Sequence, residues 1–155
     1  MAPHIDTLPP VPLQNFKDVV FTWEQVYHYV STNQIKKIHR HPTTQVVYNK
    51  WIKETLDTYG TIEHYLLSTK LKPFTTSNPP TVIVLPNDFP YSVEKGIQHV
   101  LIWSQEPLAP TFVDTVLGEQ YDPGVWEWVY WVNPPEIQSV KKLPHVHVFL
   151  RKRPV

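Results

Sequence analysis

Apolar residues recur at helical spacing in the first half of the chain and bunch or alternate in the second. Thr22-Trp23-Glu24-Gln25 has the form of a capping box, in which a threonine hydroxyl takes the amide three residues on and Gln25 reaches back. Trp23, Val26, Tyr27 and Val30 follow at 3.6-residue spacing, predicting a helix that stops near Ser31-Thr32-Asn33. Pro42-Thr43 reads as a second helix start. Val47, Tyr48, Trp51, Ile52, Leu56 and Tyr59 form its apolar stripe, and Gly60 is a natural stop. Ile62, Tyr65, Leu66 and Leu67 predict a third, short helix.

The pattern changes after the loop-forming run Thr75-Thr76-Ser77-Asn78-Pro79-Pro80. Thr81-Val82-Ile83-Val84-Leu85 is short and β-branched, a buried strand closed by Pro86. Ile97 to Trp103 predicts another strand, Thr111 to Leu117 a helical turn or two, Trp126 to Val132 an aromatic strand, and His145 to Leu150 the last strand. Helices first and strands after imply an α+β fold, with N-terminal helices packed on an antiparallel sheet. Pro3, Pro9, Pro10 and Pro12 mark residues 1–13 as a proline-rich arm, leaving 14–155 as a single α+β domain.

Composition narrows the function. Lys plus Arg equals Asp plus Glu at 14 each, so no net basic field draws in nucleic acid. Cysteine is absent, which removes disulfides and thiolate chemistry and, with no signal-like N-terminus or bilayer-length apolar run, makes a cytoplasmic protein without a membrane partner the expectation. There are 17 prolines and only 4 glycines, and neither a Walker loop nor a dinucleotide fingerprint is present. Any phosphate bound here must be held by side chains and helix ends.

The densest candidate chemistry is Pro144-His145-Val146-His147-Val148-Phe149-Leu150-Arg151. Residues two apart in a strand share a face, so His145 and His147 stand together on an open face, with Arg151 beyond them and Val146, Val148 and Leu150 turned into the core. Alternation alone would also put solvent-facing polar residues at those positions. His99 shares parity with Ile97, Leu101 and Trp103. The plain reading is a core-edge histidine satisfied by a backbone carbonyl, and the sharper one places it in a pocket with the His145/His147 pair. Asn87-Asp88-Phe89-Pro90-Tyr91 is a turn by composition, in which Asn87 and Asp88 can offer hydrogen bonds to a sugar or base. Tyr91 and Trp103 either stack on a base or fill the core. Arg40, in the basic run Lys36-Lys37-Ile38-His39-Arg40-His41 before a helix start, is a phosphate-contact candidate, with Lys152 and Arg153 as a second source of cations.

Asn133, Gln138-Ser139-Val140 and His145-Val146-His147-Val148, with Gln98-His99-Val100-Leu101-Ile102 upstream, resemble the signature of the histidine-triad nucleotide-binding superfamily. That resemblance implies a histidine-triad-like fold, His145 as the residue attacking phosphorus and His147 as its support. Asn133, Gln138, Ser139 and Arg151 would then join the nucleotide site. Two departures stand out: Lys141-Lys142-Leu143-Pro144 lengthens the connection, and Leu143 occupies the place of the first triad histidine. Blocks across nearly the whole chain, including Trp23-Glu24-Gln25-Val26, Ile38-His39-Arg40, Tyr59-Gly60-Thr61-Ile62 and Leu85-Pro86-Asn87-Asp88-Phe89-Pro90-Tyr91, are similar to the fungal N-acetylglucosamine-induced protein 1 family. The amino-sugar association implies a small phosphorylated ligand, a uridine nucleotide (UTP) or nucleotide sugar, bound by a sensor or turned over by a weak nucleotidyl hydrolase or transferase. Two alternatives stay open: a metal-dependent hydrolase with His99, His145 and His147 and possibly Asp88 around a divalent ion, and a non-enzymatic interaction protein using the proline-rich arm.

Overall fold

A computed structural model describes residues 18–155, so the arm expected over residues 1–13 lies outside the described residues. The first helix, α1, spans Trp23–Ser31 and starts on the expected capping box. Thr22 Oγ1 accepts the Gln25 N–H at 3.2 Å, and Gln25 Oε1 accepts the Thr22 N–H at 2.9 Å. Helix α2 spans Pro42–Tyr59, with proline tolerated in its first turn, and ends at Gly60, whose φ of 84° suits a residue without Cβ. Helix α3, Ile62–Ser68, is capped by Thr61, whose hydroxyl accepts the His64 N–H at 3.0 Å. Strand β1 is Val82–Pro86, β2 is Gln98–Ser104, helix α4 is Pro110–Gln120, β3 is Trp126–Trp131 and β4 is His145–Lys152. Short 3-10 turns at Ile35–Lys37, Lys72–Thr75 and Pro135–Ile137 were not anticipated.

The strands form one antiparallel sheet in the order β1-β2-β4-β3. The last strand is therefore central, and it is buried from Val146 through Leu150. A strand covered on both faces needs helices on both, which is the role of α4. Val113, Val116 and Leu117 of α4 pack on Val100, Ile102, Val146, Val148 and Leu150. Asp114 pins this helix to β3 by accepting the Trp128 Nε1–H at 3.1 Å and the Tyr130 hydroxyl at 3.0 Å. Burial first, and the Asp114 carboxylate second, push the Tyr130 phenol up to about 12. The helical turn or two expected over Thr111 to Leu117 is a full helix of 11 residues lying between β2 and β3 in the chain, within the expected α+β fold.

The opposite face is covered in two patches. Phe21, Trp23, Val26, Ile35 and Ile38 pack on Val129, Trp131 and Phe149, roofing the β3–β4 half. Ile52, Ile62, Leu66, Leu71 and Phe74 pack around Trp103 with Val140 and Leu143, roofing the β1–β2 half. The buried face of α2 differs from the expected stripe. Ile52, Gln45 and Thr55 are buried, whereas Val47 is 57% exposed and Val46 beside it is also exposed. The helix is turned so that Tyr48 and Trp51 meet the sheet side and the valines face outward. Ile52→Ala is expected to lower stability by about 2–5 kcal/mol, whereas Val47→Ala should change it by no more than about 0.5 kcal/mol. Urea denaturation of both variants checks which face of α2 is core.

Candidate functional site

The antiparallel register puts Leu101 opposite His147, Trp103 opposite His145 and His99 opposite Phe149, so all three imidazoles share one sheet face. That face is not open, as expected from alternation, but lies under α1 to α3. Where the two helical patches fail to meet over β2 and β4, a cavity of about 120 Å³ remains. Its floor is Leu101, Trp103, His145 and His147. Tyr48 and Trp51 of α2 and Tyr65 of α3 form one wall, and Asn87, Asp88 and Phe89, following β1, form another. Ile137, Ser139 and Val140 close a third side, and Arg40 and Lys70 are its cations. Asn133 and Tyr91 also touch it.

His147 is buried against two aromatic rings, with the Trp131 centroid 5.0 Å and the Tyr91 centroid 5.9 Å from its own. Its Nδ1 lies 3.0 Å from His99 Nε2, and its Nε2 lies 3.0 Å from Asn133 Nδ2. His99 in turn receives the Tyr91 backbone N–H on Nδ1 at 3.2 Å, not the backbone carbonyl of the plain expectation. The Trp131 indole can only donate, so Asn133 Oδ1, 2.7 Å away, accepts from it and the Asn133 amide N–H₂ faces His147. Both ends of the ring pair are therefore flanked by fixed donors. Two neutral rings bring two protons to the nitrogens left over, which face each other. Not all three contacts can be hydrogen bonds at once, and a further proton would break another. Burial, then Arg40, depresses His99 to about 3, and burial, then the neighbouring rings and Arg40, holds His147 well below the ordinary range. This pair is neutral and committed to internal partners. It backs the cavity, and His99 sits behind His147, outside the lining.

His145 is different. Its Nδ1–H donates to the Leu143 carbonyl at 2.9 Å, which fixes the tautomer and leaves a lone pair on Nε2. That nitrogen has no hydrogen-bond partner among the described residues, and the ring lies on Trp103 at 4.4 Å. Burial lowers its pKa against the opposing effect of the Leu143 carbonyl. A neutral, oriented imidazole with a lone pair at a cavity wall can accept a hydrogen bond, take a proton or act as a nucleophile.

The Arg40 Nε–H donates to the Phe89 carbonyl at 2.8 Å, and its guanidinium carbon sits 3.8 Å from the centre of the Tyr48 ring. The fork is thus aimed by the turn after β1 and by α2. The amide end of α2 is closed by His41, whose Nδ1 takes the Thr43 N–H at 3.2 Å. Asn87 Oδ1 accepts the Phe89 N–H at 2.9 Å, so this side chain also builds its own turn. Gln138 donates to the Asn133 carbonyl at 2.7 Å, and Ser139 accepts the Tyr48 hydroxyl at 2.6 Å, so both shape the loop over the cavity while only Ser139 lines it. The structure does not bring Arg151 to this place. It lies six positions along β4 from His145, roughly 20 Å away, paired with Glu127 at 3.0 Å and laid over Trp23 at 4.8 Å. No group of three His, Cys, Asp or Glu side chains among the described residues is arranged to hold a metal ion. Lys70, Tyr48, Trp51 and Phe89 are cavity residues that sequence reasoning did not single out for the site. Tyr48 and Trp51 were visible as a helix stripe, while nothing local marks Lys70.

The buried rings make stability depend on pH. In the unfolded chain an imidazole takes up its proton near 6.5, and folded His99 does so only near about 3. Between those values the unfolded state binds more protons, so the contribution is complete above about 6.5 and falls as pH drops. His99 alone should remove roughly 1 kcal/mol between about pH 6.5 and 5.5, with His147 and His145 adding in the same direction. Urea denaturation across that interval should show this loss, and a flat profile would show that the rings are not neutral and buried.

The chain is 23% identical to N-acetylglucosamine-induced protein 1 of Candida albicans over 187 aligned residues, covering 94% of this chain and 74% of that protein. It is 26% identical to the uncharacterised protein YPL067C of Saccharomyces cerevisiae, covering 83% of this chain and 77% of that one. Among solved structures, the crystal structure of HTC1 superimposes with a TM-score of 0.66 at 25% identity, covering 86% of each chain. The sheet, the helical cover and the cavity they enclose fall almost wholly within residues 22–151, and over that stretch the sequence matches the model of DUF3605, so the chain belongs to this family of proteins of unknown function.

Proposed function

We propose that the cavity over β2 and β4 binds a phosphorylated nucleotide. The observation that carries this reading is Arg40: a guanidinium held against Tyr48 and the Phe89 carbonyl, at the edge of an aromatic cavity that also contains a neutral imidazole with a free lone pair. An aromatic wall suits a base, and an aimed guanidinium suits a phosphate, which it can grip through two parallel N–H bonds. A volume of about 120 Å³ takes one end of such a ligand, with the remainder projecting past Arg40 and Lys70 toward solvent. The relative induced by N-acetylglucosamine favours uridine nucleotides or nucleotide sugars, because amino sugars are activated in that form.

Binding is the primary activity in this reading. Where turnover follows, His145 Nε2 attacks an α-phosphorus and the bond to the bridging oxygen breaks, expelling pyrophosphate from UTP or a sugar phosphate from a nucleotide sugar. Water or an alcohol then cleaves the phosphoramidate and releases the neutral ring, and Arg40 offsets the charge on the phosphoryl oxygens. His147 then acts as a support rather than as a second reacting group, because both its nitrogens face internal partners. A metal-dependent hydrolysis is disfavoured by the same geometry, since His99 and His147 turn their facing nitrogens toward each other.

Thermal denaturation with a panel of nucleotides tests the reading, since a ligand that binds only the folded state raises Tm. UMP, UDP, UTP and uridine diphosphate sugars should raise it in the parent. Arg40→Met should weaken their binding by about tenfold or more, the loss expected for a charge-assisted pair. His145→Ala should abolish any turnover while leaving binding within a few-fold of the parent. A parent that is not stabilised by any nucleotide would contradict the proposal.

A further inference from the structure

The cavity carries two cations of unlike status. Arg40 is tied to a carbonyl and an aromatic ring, which orient it without cancelling its charge. Lys70, just beyond α3, is ion-paired with Asp88 in the turn after β1. Both members of that pair line the cavity, and Asp88 is its one carboxylate among the described residues. The ion pair therefore spans the boundary between the helical layer and the sheet layer at the cavity's edge. The side chains of Lys70 and Asp88 remain 37% and 54% exposed, so water screens the pair and little free energy is lost on parting them.

The geometry points to Lys70 as the second phosphate-contacting cation of this cavity and to Asp88 as a built-in competitor that occupies it until a more highly charged ligand displaces it. This rests on the nucleotide reading above and adds what selects among ligands. With the imidazoles neutral, the formal charge of the lining among the described residues is that of Arg40, Lys70 and Asp88. A neutral nucleoside cannot displace Asp88 and gains nothing from Lys70. A phosphate can offer the ammonium group more charge and more acceptor oxygens than one carboxylate. Asp88 thereby sets a threshold of negative charge below which ligands bind by base and Arg40 contacts only. In this account the carboxylate opposes the ligand's phosphate, and its value is discrimination rather than affinity.

Calorimetric titration of the full chain tests this with uridine, UMP, UTP and inorganic pyrophosphate as probes, each at low and at high sodium chloride. Asp88→Asn should bind UMP and pyrophosphate up to about fivefold more tightly than the parent, with the gain shrinking at high salt and uridine unchanged. Lys70→Met should weaken the anions and should erase the gain, so that Lys70→Met/Asp88→Asn behaves as Lys70→Met alone. Asp88→Asn weakening uridine and UMP equally would show that Asp88 holds the sugar or base instead, and would overturn this inference while leaving the nucleotide reading intact. A gain that persists without Lys70 would overturn it in the same way. Failure of the parent and of Asp88→Asn to bind any of the four probes would sink both readings together.

Discussion

Imidazole rings buried at the centre of a sheet must stay uncharged, and the helical side of this protein is arranged around that requirement. His99 and His147 lie on the two central strands, each almost sealed from water. Their outer nitrogens are met by the Tyr91 N–H and the Asn133 amide, and Trp131 fixes that amide in turn. Those partners belong to the two irregular segments that reach over the sheet: the turn after β1 and the loop between β3 and β4. Satisfying the rings therefore positions the same segments that supply Asn87, Asp88, Phe89 and Ser139 to the cavity. A charged ring would lose solvation and break a contact at one end or the other, loosening a cavity wall.

The three histidines consequently divide into two kinds. His99 and His147 are consumed by structure, and their chemistry is spent on holding the walls. His145 donates one nitrogen to a backbone carbonyl and keeps the other free. The cations divide as well, one oriented by aromatic and carbonyl contacts, the other neutralised by a carboxylate. One open imidazole, one aimed guanidinium and an aromatic wall are the features on which the proposal of a receptor for a base joined to phosphate rests. The cavity exists because two hydrophobic patches, one around α1 and one around α2 and α3, leave a seam over β2 and β4.

Local signals carried much of the fold. The capping box at Thr22, the stop at Gly60 and the start of β4 at His145 depend on neighbours a few residues apart, and each appears where the sequence places it, although β4 is buried on both faces and not on one. Parity likewise put His145 with His147, and His99 with Leu101 and Trp103, while only the pairing of β2 with β4 makes these one face. Parity says nothing of distance along a strand or of what covers it, so Arg151 shares that face yet lies at the far end beside Glu127. Nor does it distinguish the free ring from the committed ones, because that depends on the Leu143 carbonyl and on Asn133, which reach the rings through an irregular loop. The outward turn of Val47 has the same origin: α2 carries more apolar positions than one face can bury, and tertiary packing chooses among them. Helix α4 was legible only in part, since Val113, Val116 and Leu117 are its buried residues among polar neighbours. Asp88 was legible as a turn residue, whereas Lys70 carries no motif, and only the fold joins the two.

The central claim is that one ring is open to a ligand while two remain neutral and closed. Nitrogen-resolved NMR of the side-chain imidazoles at neutral pH, recorded as UMP is added, addresses it most directly. The account predicts that the His145 Nε2 resonance moves with UMP while His99 and His147 keep neutral-ring shifts throughout. Protonated signals from His99 or His147 at that pH, or a His145 resonance unmoved at saturating UMP, would contradict it.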